Sequence, residues 1–441
     1  MQRQRLFWVF SVELFLMVSV GKCETGKEEV SAAKSLVWGP GLRADVVLPV
    51  RYFYIQAVYS TGENVTSSPG SDTFNVVIQV LSSREHVRRY VPAPLDRNDG
   101  TFLMRYRMYG TASEGLKIEI FHQGQHVGQS PFILKGPVYH EYCYCPEEEP
   151  QKWKDTVSCP AEEEQISSDF TNFPSIDLAL LLEEVPNRFG DRGIVHYTIL
   201  DNQIYRRTMG RYTDFKMFSD EMLLSLTRKV RLPNVEFYVN VGDWPLETRQ
   251  MKDNPLPIIS WCGSEDTADI VLPTYDITRS TLETLRGVTN DLLSIQGQTG
   301  PAWCNKTEQA FWRGRDSREE RLKLVRISRN NPEVLDAGIT AYFFFREEEK
   351  ELGKAPLISF FDFFKDNDAE AQKIARSGQA LARELLQPSS LYCYYYIVLQ
   401  EYAKRQTTKP EIREGMEHVL QPTDNESFCN CKRKANIKEE L

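Results

Sequence analysis

The chain has 441 residues, and because an ordinary domain holds about 150, its length predicts about three structural units. Hydrophobic residues make up 41% of the sequence, charged residues 26% and aromatic residues 11%, which is typical of a globular protein and argues against disorder. The formal net charge of −9, without a long basic block, argues against nucleic-acid binding. The same composition excludes a collagen, a coiled coil and a multi-pass membrane protein.

The N-terminal residues 1–23 are predicted to be a signal peptide. Arg3 and Arg5 precede the apolar stretch Leu6–Val20, which is shorter than the ~20 residues that a membrane span needs, and Gly21 suits a small-residue cleavage site. An uncleaved signal anchor is the alternative. No later apolar run is long enough to predict a span, so we expect the mature chain to have none.

The C-terminal tetrapeptide predicts where the mature chain is retained. Its residues, 438–441, are similar to a retrieval signal that a receptor recognises and that is not an anchor. They are Lys438, Glu439, Glu440 and Leu441. Combined with a signal peptide, this tail predicts residence in the lumen of the endoplasmic reticulum and a retrieval receptor as a partner.

Cysteine usage agrees with an oxidising compartment. Of nine cysteines, Cys23 lies at the expected cleavage point, and the other eight predict disulfides whose pairing the sequence leaves open. The pairs in Cys143-Tyr144-Cys145 and Cys429-Asn430-Cys431 could alternatively bind zinc, but their one-residue spacing is too short for a zinc knuckle, so disulfides are favoured. Three Asn-x-Ser/Thr sequences are candidate glycosylation sites: Asn64, Asn305 and Asn425.

Residues 24–136 predict a β-sandwich that contains no disulfide. Short runs rich in Val, Ile, Tyr and Phe alternate with turn sequences such as Asn98-Asp99-Gly100. The predicted strands are Val46–Leu48, Tyr52–Tyr59, Asn75–Leu81, Gly100–Arg107, Leu116–Phe121 and Ser130–Leu134. About seven strands in ~100 residues are what an immunoglobulin-like sandwich needs.

Three sequences in this module resemble filamin-type immunoglobulin repeats. They are Trp38-Gly39-Pro40-Gly41-Leu42, Asp99-Gly100-Thr101-Phe102 and Gly128-Gln129-Ser130-Pro131-Phe132. The resemblance implies a domain that binds or spaces and does not catalyse.

Residues 137–437 predict an α/β body. It begins with acidic, linker-like sequences near Glu147 and Glu162, and strands and helices alternate beyond them. This alternation predicts a mainly parallel, doubly wound sheet with its site at the carboxyl ends of the strands. The predicted strands are Glu236–Val241, Pro257–Trp261, Asp269–Leu272, Gln309–Trp312 and Thr340–Phe344. The predicted helices are Ser219–Val230, capped by Ser219, then Ser317–Ser328 and Asp366–Leu386, the last with Ile374, Gly378, Leu381 and Leu385 on one face.

Several familiar active sites are excluded by this sequence. The three histidines of the body are far apart, which argues against Ser-His-Asp or Cys-His catalysis. No P-loop and no Gly-x-Gly-x-x-Gly sequence occurs. Asp366-Asn367-Asp368 matches a metal-binding Asp-x-Asp pattern, but at a helix start these residues are more simply caps, so no metal site is predicted.

Two segments could carry chemistry. In Val239-Asn240-Val241-Gly242-Asp243-Trp244-Pro245 a hydrophobic strand ends near Asp243, a carboxylate that could act as a general base once desolvated, or simply a solvated turn residue. In the segment 311–321 a strand leads through glycine to a helix start with Arg313, Arg315, Arg318 and Arg321. Helix N-terminal amides and guanidinium groups together suit a diphosphate, and a salt-bridged surface turn is the alternative.

Together these segments resemble the lumenal protein O-glucosyltransferases, the family with a capsule-associated type domain. The resemblance rests on Asn240-Val241-Gly242-Asp243-Trp244-Pro245, Phe311-Trp312-Arg313-Gly314-Arg315 and Tyr392-Cys393-Tyr394-Tyr395-Tyr396. It implies two Rossmann-like lobes and metal-independent transfer of glucose from UDP-glucose to serine in EGF-like repeats of Notch-type proteins, with xylose an open alternative. Asp243 would be the base, Trp244 an acceptor contact, and the UDP-sugar contacts would be Arg315, Ser317 and Arg321.

One departure from the family concerns the second lobe. Where several dozen residues are expected after Leu357–Lys365, Lys365 leads directly into Asp366 and the last helix. The sequence therefore predicts a truncated second lobe, and a non-catalytic lumenal binding protein is the alternative function.

Overall fold

The structure, a computed structural model, describes residues 29–248, 254–282, 293, 296–297, 309–356, 368–422, 429 and 431. The predicted signal peptide, the C-terminal tetrapeptide, Asn305, Asn425, the stretch Leu357–Phe364 and the Lys365–Asp366 junction lie outside these residues. No helix in the described ranges is long and apolar enough to cross a membrane.

Two antiparallel sheets form the N-terminal module, as predicted. The first contains β1 (Leu36–Trp38), β2 (Arg51–Gln56), β4 (Arg89–Tyr90), β5 (Leu95–Asp96) and β6 (Thr101–Met108). The second contains β3 (Asn75–Val80), β7 (Gly115–His122), β8 (Gln125–His126) and β9 (Phe132–Lys135). Their facing sides bury a common core, which includes Phe53, Phe102, Met104, Ile118 and Ile120.

The turn before β6 requires its glycine. Gly100 has φ +79, and a Cβ there would lie 1.8 Å from the carbonyl oxygen of Val65. A glycine is the residue that meets both the positive φ and the close approach.

The module packs against the body rather than being tethered to it. Val46 and Leu48, predicted as a strand, lie outside any strand and are buried in the hydrophobic core of the body, so that prediction is wrong. β2 is buried on both faces, because its outward side chains also contact the body. The Tyr54 hydroxyl donates to Gln387 Oε1 (2.8 Å), and Tyr52 and Ser389 hydroxyls are 3.1 Å apart.

The body begins with helices α1 (Pro150–Val157), α2 (Glu164–Asp169) and α3 (Leu178–Phe189), and the two acidic segments lie just before α1 and α2, outside the helices except for their last residues. Next come the hairpin β10 (Ile194–Leu200) and β11 (Gln203–Met209), helix α4 (Lys216–Thr227), β12 (Val235–Asn240), β13 (Ile259–Ser260), β14 (Ile270–Val271) and α5 (Tyr275–Leu282). Ser219, predicted as the cap of α4, is buried inside that helix, which begins three residues earlier.

The main sheet is mixed, which corrects the expected mainly parallel sheet. Its strand order is β14-β13-β12-β10-β11-β17, where β17 is Glu417–His418, and β12, β13 and β14 are parallel. β10 pairs antiparallel with both β11 and β12. The cause is the two-residue turn at Asp201 and Asn202, whose φ values of 49 and 62 suit a tight hairpin.

The second lobe is small. It contains β15 (Ala310–Arg315), helix α6 (Glu319–Asn330) and β16 (Leu335–Ala341), with β15 and β16 parallel, followed by α7 (Glu349–Leu352). The strand predicted at Thr340–Phe344 therefore begins five residues earlier than predicted and ends at Ala341. In the described part of the chain this sheet has two strands, which agrees with the predicted truncation.

Two long helices complete the body, α8 (Asp368–Leu385) and α9 (Pro388–Arg405). The tyrosine-rich helix α9 is largely buried. α8 is helical as predicted, but its apolar side chains Ile374, Leu381 and Leu385 are exposed by 65%, 55% and 55%.

Three disulfides tie distant parts of the body together. Cys143 is bonded to Cys429, Cys145 to Cys431, and Cys159 to Cys393. The two Cys-x-Cys sequences thus bond to each other, which rules out zinc binding by Cys143 and Cys429 in this state. Cys262 is not disulfide-bonded in the structure, and Cys304 lies outside the described residues.

A buried carboxylate lies beside this disulfide pair. Glu141 accepts hydrogen bonds from Arg228 Nη2 (2.8 Å) and Lys229 Nζ (2.6 Å), and from the Ser225 hydroxyl. Burial alone would raise the pKa of Glu141, but the charges of Lys229 and Arg228 outweigh it and hold that pKa below its ordinary value.

We expect Glu141→Ala to lower the free energy of unfolding by about 3–5 kcal/mol, because it leaves two buried cations without their counter-ion. Since the pKa of Glu141 is lower in the folded than in the unfolded state, its contribution is present above pH ~4.3 and is lost as the pH falls further. Urea unfolding at pH 7 and pH 4 measures both effects.

Glu148→Gln is the matched control, since the exposed Glu148 pairs with Arg231 at 3.3 Å on the surface. Its effect should stay within about 0.5 kcal/mol. Equal effects of the two substitutions would contradict the structural role of Glu141.

Candidate functional site

Asp243 lies three residues beyond the end of β12, in an exposed loop at the carboxyl edge of the parallel strands. The Asn240 side chain fixes this loop through hydrogen bonds. Its Oδ1 accepts from Gly242 N (2.9 Å), and its Nδ2 donates to Trp244 O (2.7 Å) and to Ser260 Oγ (3.0 Å). The backbone on both sides of Asp243 is therefore fixed by one amide side chain.

A second buried carboxylate, Asp269, fixes the rest of the same loop. It accepts from Leu246 N (2.9 Å), Glu247 N (2.8 Å) and Ser260 Oγ (2.6 Å). Burial raises the pKa of Asp269, although these hydrogen bonds act in the opposite direction. The positioning roles of Asn240 and Asp269 were not predicted from the sequence, although Asn240 lies in the candidate segment 239–245 and Asp269 begins a predicted strand.

In the second lobe, Asp316 joins the loops that follow β15 and β16. The side chain is fully buried and accepts backbone N–H groups from Phe343 (2.8 Å), Phe344 (2.8 Å) and Phe345 (2.6 Å). Burial would raise the pKa of Asp316, but these three donors lower it overall. The arrangement fixes the turn that carries Arg315, whose guanidinium lies 5.0 Å from the Phe343 ring centroid.

Arg321 and Ser317 lie at the start of α6, as predicted, with Ser317 exposed. Arg321 Nη1 donates to Arg315 O (3.1 Å), and its guanidinium lies 5.8 Å from the Trp312 ring centroid. The first turn of α6 also contains Glu319 and Glu320. These carboxylates reduce the attraction of this helix terminus for an anion, which leaves the arginines as the main positive charges.

The two lobes meet at Trp244. The Arg318 guanidinium lies 5.3 Å from the centroid of the Trp244 ring, which is 68% exposed. This contact places the loop of Asp243, the predicted base, beside the turn that leads from β15 and Arg315 into α6, and we call the space between them the cleft. Burial raises the pKa of Tyr275, the carboxylates of Asp276 and Asp243 add to this, and Arg315 opposes it.

Tyr275 is held by an aromatic cluster on the Asp243 side of this cleft. Its ring centroid lies 4.7 Å from that of Phe215, 5.7 Å from Phe218 and 5.5 Å from Trp261. The next residue after Trp261 is Cys262, whose thiol donates to Asp243 O (3.0 Å). Burial raises the pKa of the Cys262 thiol, and the nearby Asp269 and Asp243 add to the effect.

Two other predictions concern residues away from the cleft. Asn64 is exposed in a loop of the N-terminal module, as a glycosylation site must be. Among the described residues, one group of side chains has metal-like geometry, His140 with Cys143 and Cys429, and its two sulfurs are bonded to each other.

Comparison with known sequences identifies the class of protein. The model of the family described as glycosyl transferase family 90 matches residues 154–362 and 356–439, and the filamin/ABP280 repeat matches residues 29–133. The chain therefore belongs to glycosyl transferase family 90, with a filamin-type repeat at its N-terminus. The filamin-type module and the glycosyltransferase body predicted from the sequence are confirmed.

Full-length relatives narrow the class further. The chain is 58% identical to human protein O-glucosyltransferase 3 over 503 residues, with 98% of each chain covered. It is 57% identical to the mouse protein of that name over 500 residues, covering 98% of this chain and 99% of the other. It is 44% identical to protein O-glucosyltransferase 2 of Danio rerio over 480 residues, covering 93% and 95%. These relatives favour a transferase over the non-catalytic alternative.

The same alignments show that this chain is shorter than its relatives. The human alignment spans 503 positions, whereas 98% of 441 residues is about 430, so about 70 positions are gaps in this chain. The two family matches meet at residues 356–362, just before the Lys365–Asp366 junction. This agrees with the shortening predicted at that junction.

We expect Asp316→Ala to destabilise the second lobe locally by about 2–4 kcal/mol, because three buried backbone donors lose their acceptor. Hydrogen–deuterium exchange of peptides covering residues 335–352 should become faster by the factor that this loss of local stability implies. Since the pKa of Asp316 is lowered by folding, the difference from wild type should shrink as the pH falls below ~4. Asp336→Ala, which removes a partly exposed partner of Arg313, is the control. Equal exchange rates of residues 335–352 in the Asp316→Ala and Asp336→Ala variants would contradict this role of Asp316.

Proposed function

We propose that this chain is a protein O-glucosyltransferase that transfers glucose from UDP-glucose to a serine hydroxyl of an EGF-like repeat. The observation that carries the proposal is the position of Asp243, on a loop fixed by Asn240 and Asp269, whose Trp244 lies beside Arg318 of the second lobe. The names of the relatives support the same activity.

The proposed reaction inverts the anomeric carbon. The Asp243 carboxylate takes the proton of the serine hydroxyl as the serine oxygen attacks C1 of glucose in line with the bond to UDP. The C1–oxygen bond to the diphosphate breaks, and its electron pair leaves with UDP. Arg315 and Arg321 offset the negative charge that develops on the diphosphate, and no metal ion takes part.

Transfer to serine would require Asp243 to be desolvated, yet in the free protein this side chain is exposed. The acceptor itself can supply the desolvation, since a folded repeat seated on the loop would cover the carboxylate. Trp244, beside Asp243 and exposed, is proposed to contact that repeat. Glucose and xylose remain the two candidate sugars, and the acceptors are proposed to be repeats of Notch-type proteins.

The proposed location is the lumen of the endoplasmic reticulum, with a retrieval receptor as partner. Three disulfides of the body support an oxidising compartment. The predicted signal peptide and C-terminal tetrapeptide carry the rest of this assignment.

In a family member that retains the segment missing here, the substitution corresponding to Asp243→Asn should lower transfer to a folded EGF-like repeat by about 10²–10⁴-fold, because the amide cannot accept the serine proton. UDP binding should survive, since the arginines are untouched. Glucose incorporation measured by mass spectrometry and UDP binding measured by calorimetry give the two readouts. Asp266→Asn, in a nearby exposed turn, is the matched control. Wild-type turnover in Asp243→Asn would disprove the assignment.

UDP-glucose itself should bind weakly to this chain. One charge-assisted contact contributes about 1.5–3 kcal/mol, whereas micromolar affinity needs about 8 kcal/mol. The two-stranded second lobe offers few further contacts in its described part. We therefore expect a dissociation constant above ~10 μM in calorimetry, and a lower value would show that the shortened lobe still forms a complete pocket.

A further inference from the structure

An open groove with a volume of about 560 Å³ lies on the surface of the N-terminal module. It is formed by the last two residues of β3, by the loop that leads to β4 and by Arg89, the first residue of β4. We call this surface, residues 79–89, the basic groove.

Positive charge is concentrated in this segment. Four of its side chains are basic and exposed: Arg84, His86, Arg88 and Arg89. Its single carboxylate, Glu85, accepts a hydrogen bond from Ser113 N (3.0 Å). Among the described residues, no carboxylate forms an ion pair with any of these three arginines. On a chain with a formal net charge of −9, such a local excess of cations attracts the anionic groups of a partner.

The Arg88 side chain is held in place at the surface. Its guanidinium lies 4.6 Å from the centroid of the Tyr109 ring, and the Arg107 guanidinium lies 4.7 Å from the same centroid. The carbonyl oxygen of Arg88 also accepts a hydrogen bond from Tyr109 N (2.9 Å). Because its backbone and its side chain both contact one residue, Arg88 loses less conformational entropy than a free surface arginine when it pairs with an anion.

Arg89 is fixed as well and keeps hydrogen-bond donors for a ligand. Its Nε donates to Ile78 O (2.7 Å), and its Nη1 donates to Val87 O (3.2 Å). A guanidinium has five N–H donors, so these two bonds leave donors that can pair with a carboxylate.

Apolar side chains also line the groove. Val80 and Val87 are partly buried and pack against the core of the module. A ligand that fits therefore has anionic groups for the arginines and an apolar group for the valines. An acidic polypeptide segment with an apolar side chain offers both, whereas a sulfated glycan offers the charges alone.

The basic groove is separate from the contacts between the module and the body. Its residues form no hydrogen bond or ion pair with the described part of the body, which the module contacts through β2 and through Val46 and Leu48. A partner can therefore occupy the groove without entering the cleft.

We propose that the basic groove is a docking site for an acidic segment of a partner polypeptide. Carboxylates of that segment pair with Arg88 and Arg89, and an apolar side chain between them lies against Val80 and Val87. The inference does not depend on the proposed function, because it involves neither Asp243 nor the second lobe.

Fluorescence anisotropy of a labelled peptide rich in glutamate and leucine measures its binding to the full chain. The same peptide with glutamine in place of glutamate removes the charge, and a heparin oligosaccharide of equal charge represents a sulfated glycan. Arg88→Glu reverses a charge of the groove, and Val87→Ala shortens one of its apolar side chains. Arg192→Glu, at an arginine of the body whose side chain is 65% exposed, is the matched control for net charge.

We expect Arg88→Glu to weaken binding of the glutamate peptide by about 10-fold, because a repulsion replaces an attraction, and Arg192→Glu to change it by less than about 2-fold. Val87→Ala should weaken binding of this peptide by about 3-fold, since less apolar surface is covered. The glutamine peptide should bind at least about 10-fold more weakly than the glutamate peptide.

Three results would overturn the inference: no binding of the glutamate peptide, equal weakening by Arg88→Glu and Arg192→Glu, or tighter binding of heparin than of the peptide. The second result would show attraction by overall charge, and the third would show a glycan site. Glucose transfer is measured in a separate assay, so each of these results leaves the proposed function standing.

Discussion

The buried ion cluster of Glu141 is the interaction on which the assembly of this chain depends. Its carboxylate lies in the segment that leaves the N-terminal module, and its partners Ser225, Arg228 and Lys229 lie at the end of α4. The Ser225 hydroxyl also lies 2.7 Å from the hydroxyl of Tyr392 on α9. Three parts of the fold that are distant in sequence therefore meet in one buried hydrogen-bonded ion cluster.

The disulfides strengthen this junction without replacing it. Cys143 and Cys145 follow Glu141 directly and bond to residues 286 positions later, which closes the chain on itself. Such cross-links act largely by limiting the unfolded chain. The ion cluster acts in the folded state, where two buried cations would be very costly without Glu141. Because Arg228 Nη1 also donates to Gln421 Oε1 (2.8 Å), the cluster orients the segment that the disulfides capture.

Features of the fold that depend on neighbouring residues were predicted from the sequence, and most features that depend on contacts between distant segments were not. The strand that ends before Asp243 and the strand β15 that leads to α6 are set by local residue patterns, and both were predicted near their observed positions. The disulfide pairing and the burial of Val46 and Leu48 depend on contacts between distant segments, which periodicity does not reveal. The mixed sheet was missed although Asp201 and Asn202, with their positive φ values, are a local hairpin signal.

The candidate site shows the same division. Asp243 and Arg315 were predicted from residue type and position and Trp244 from the family resemblance, whereas Asn240, Asp269 and Asp316 act by accepting or donating backbone hydrogen bonds. A buried Asp that binds loop amides has no sequence pattern that separates it from a surface Asp. Its role becomes visible when the amides that it binds are located.

The two halves of the cleft differ in how completely they are built. On the Asp243 side, the loop is fixed by two buried side chains and continues into the core of the six-stranded sheet. On the arginine side, a two-stranded sheet has a core of a few residues, and Phe344 is 71% exposed. Along the chain, Phe344 and the exposed face of α8 lie on either side of the point where the two family matches meet. The shortening therefore falls on the arginine side, whereas the loop of Asp243 keeps both of its buried supports, Asn240 and Asp269.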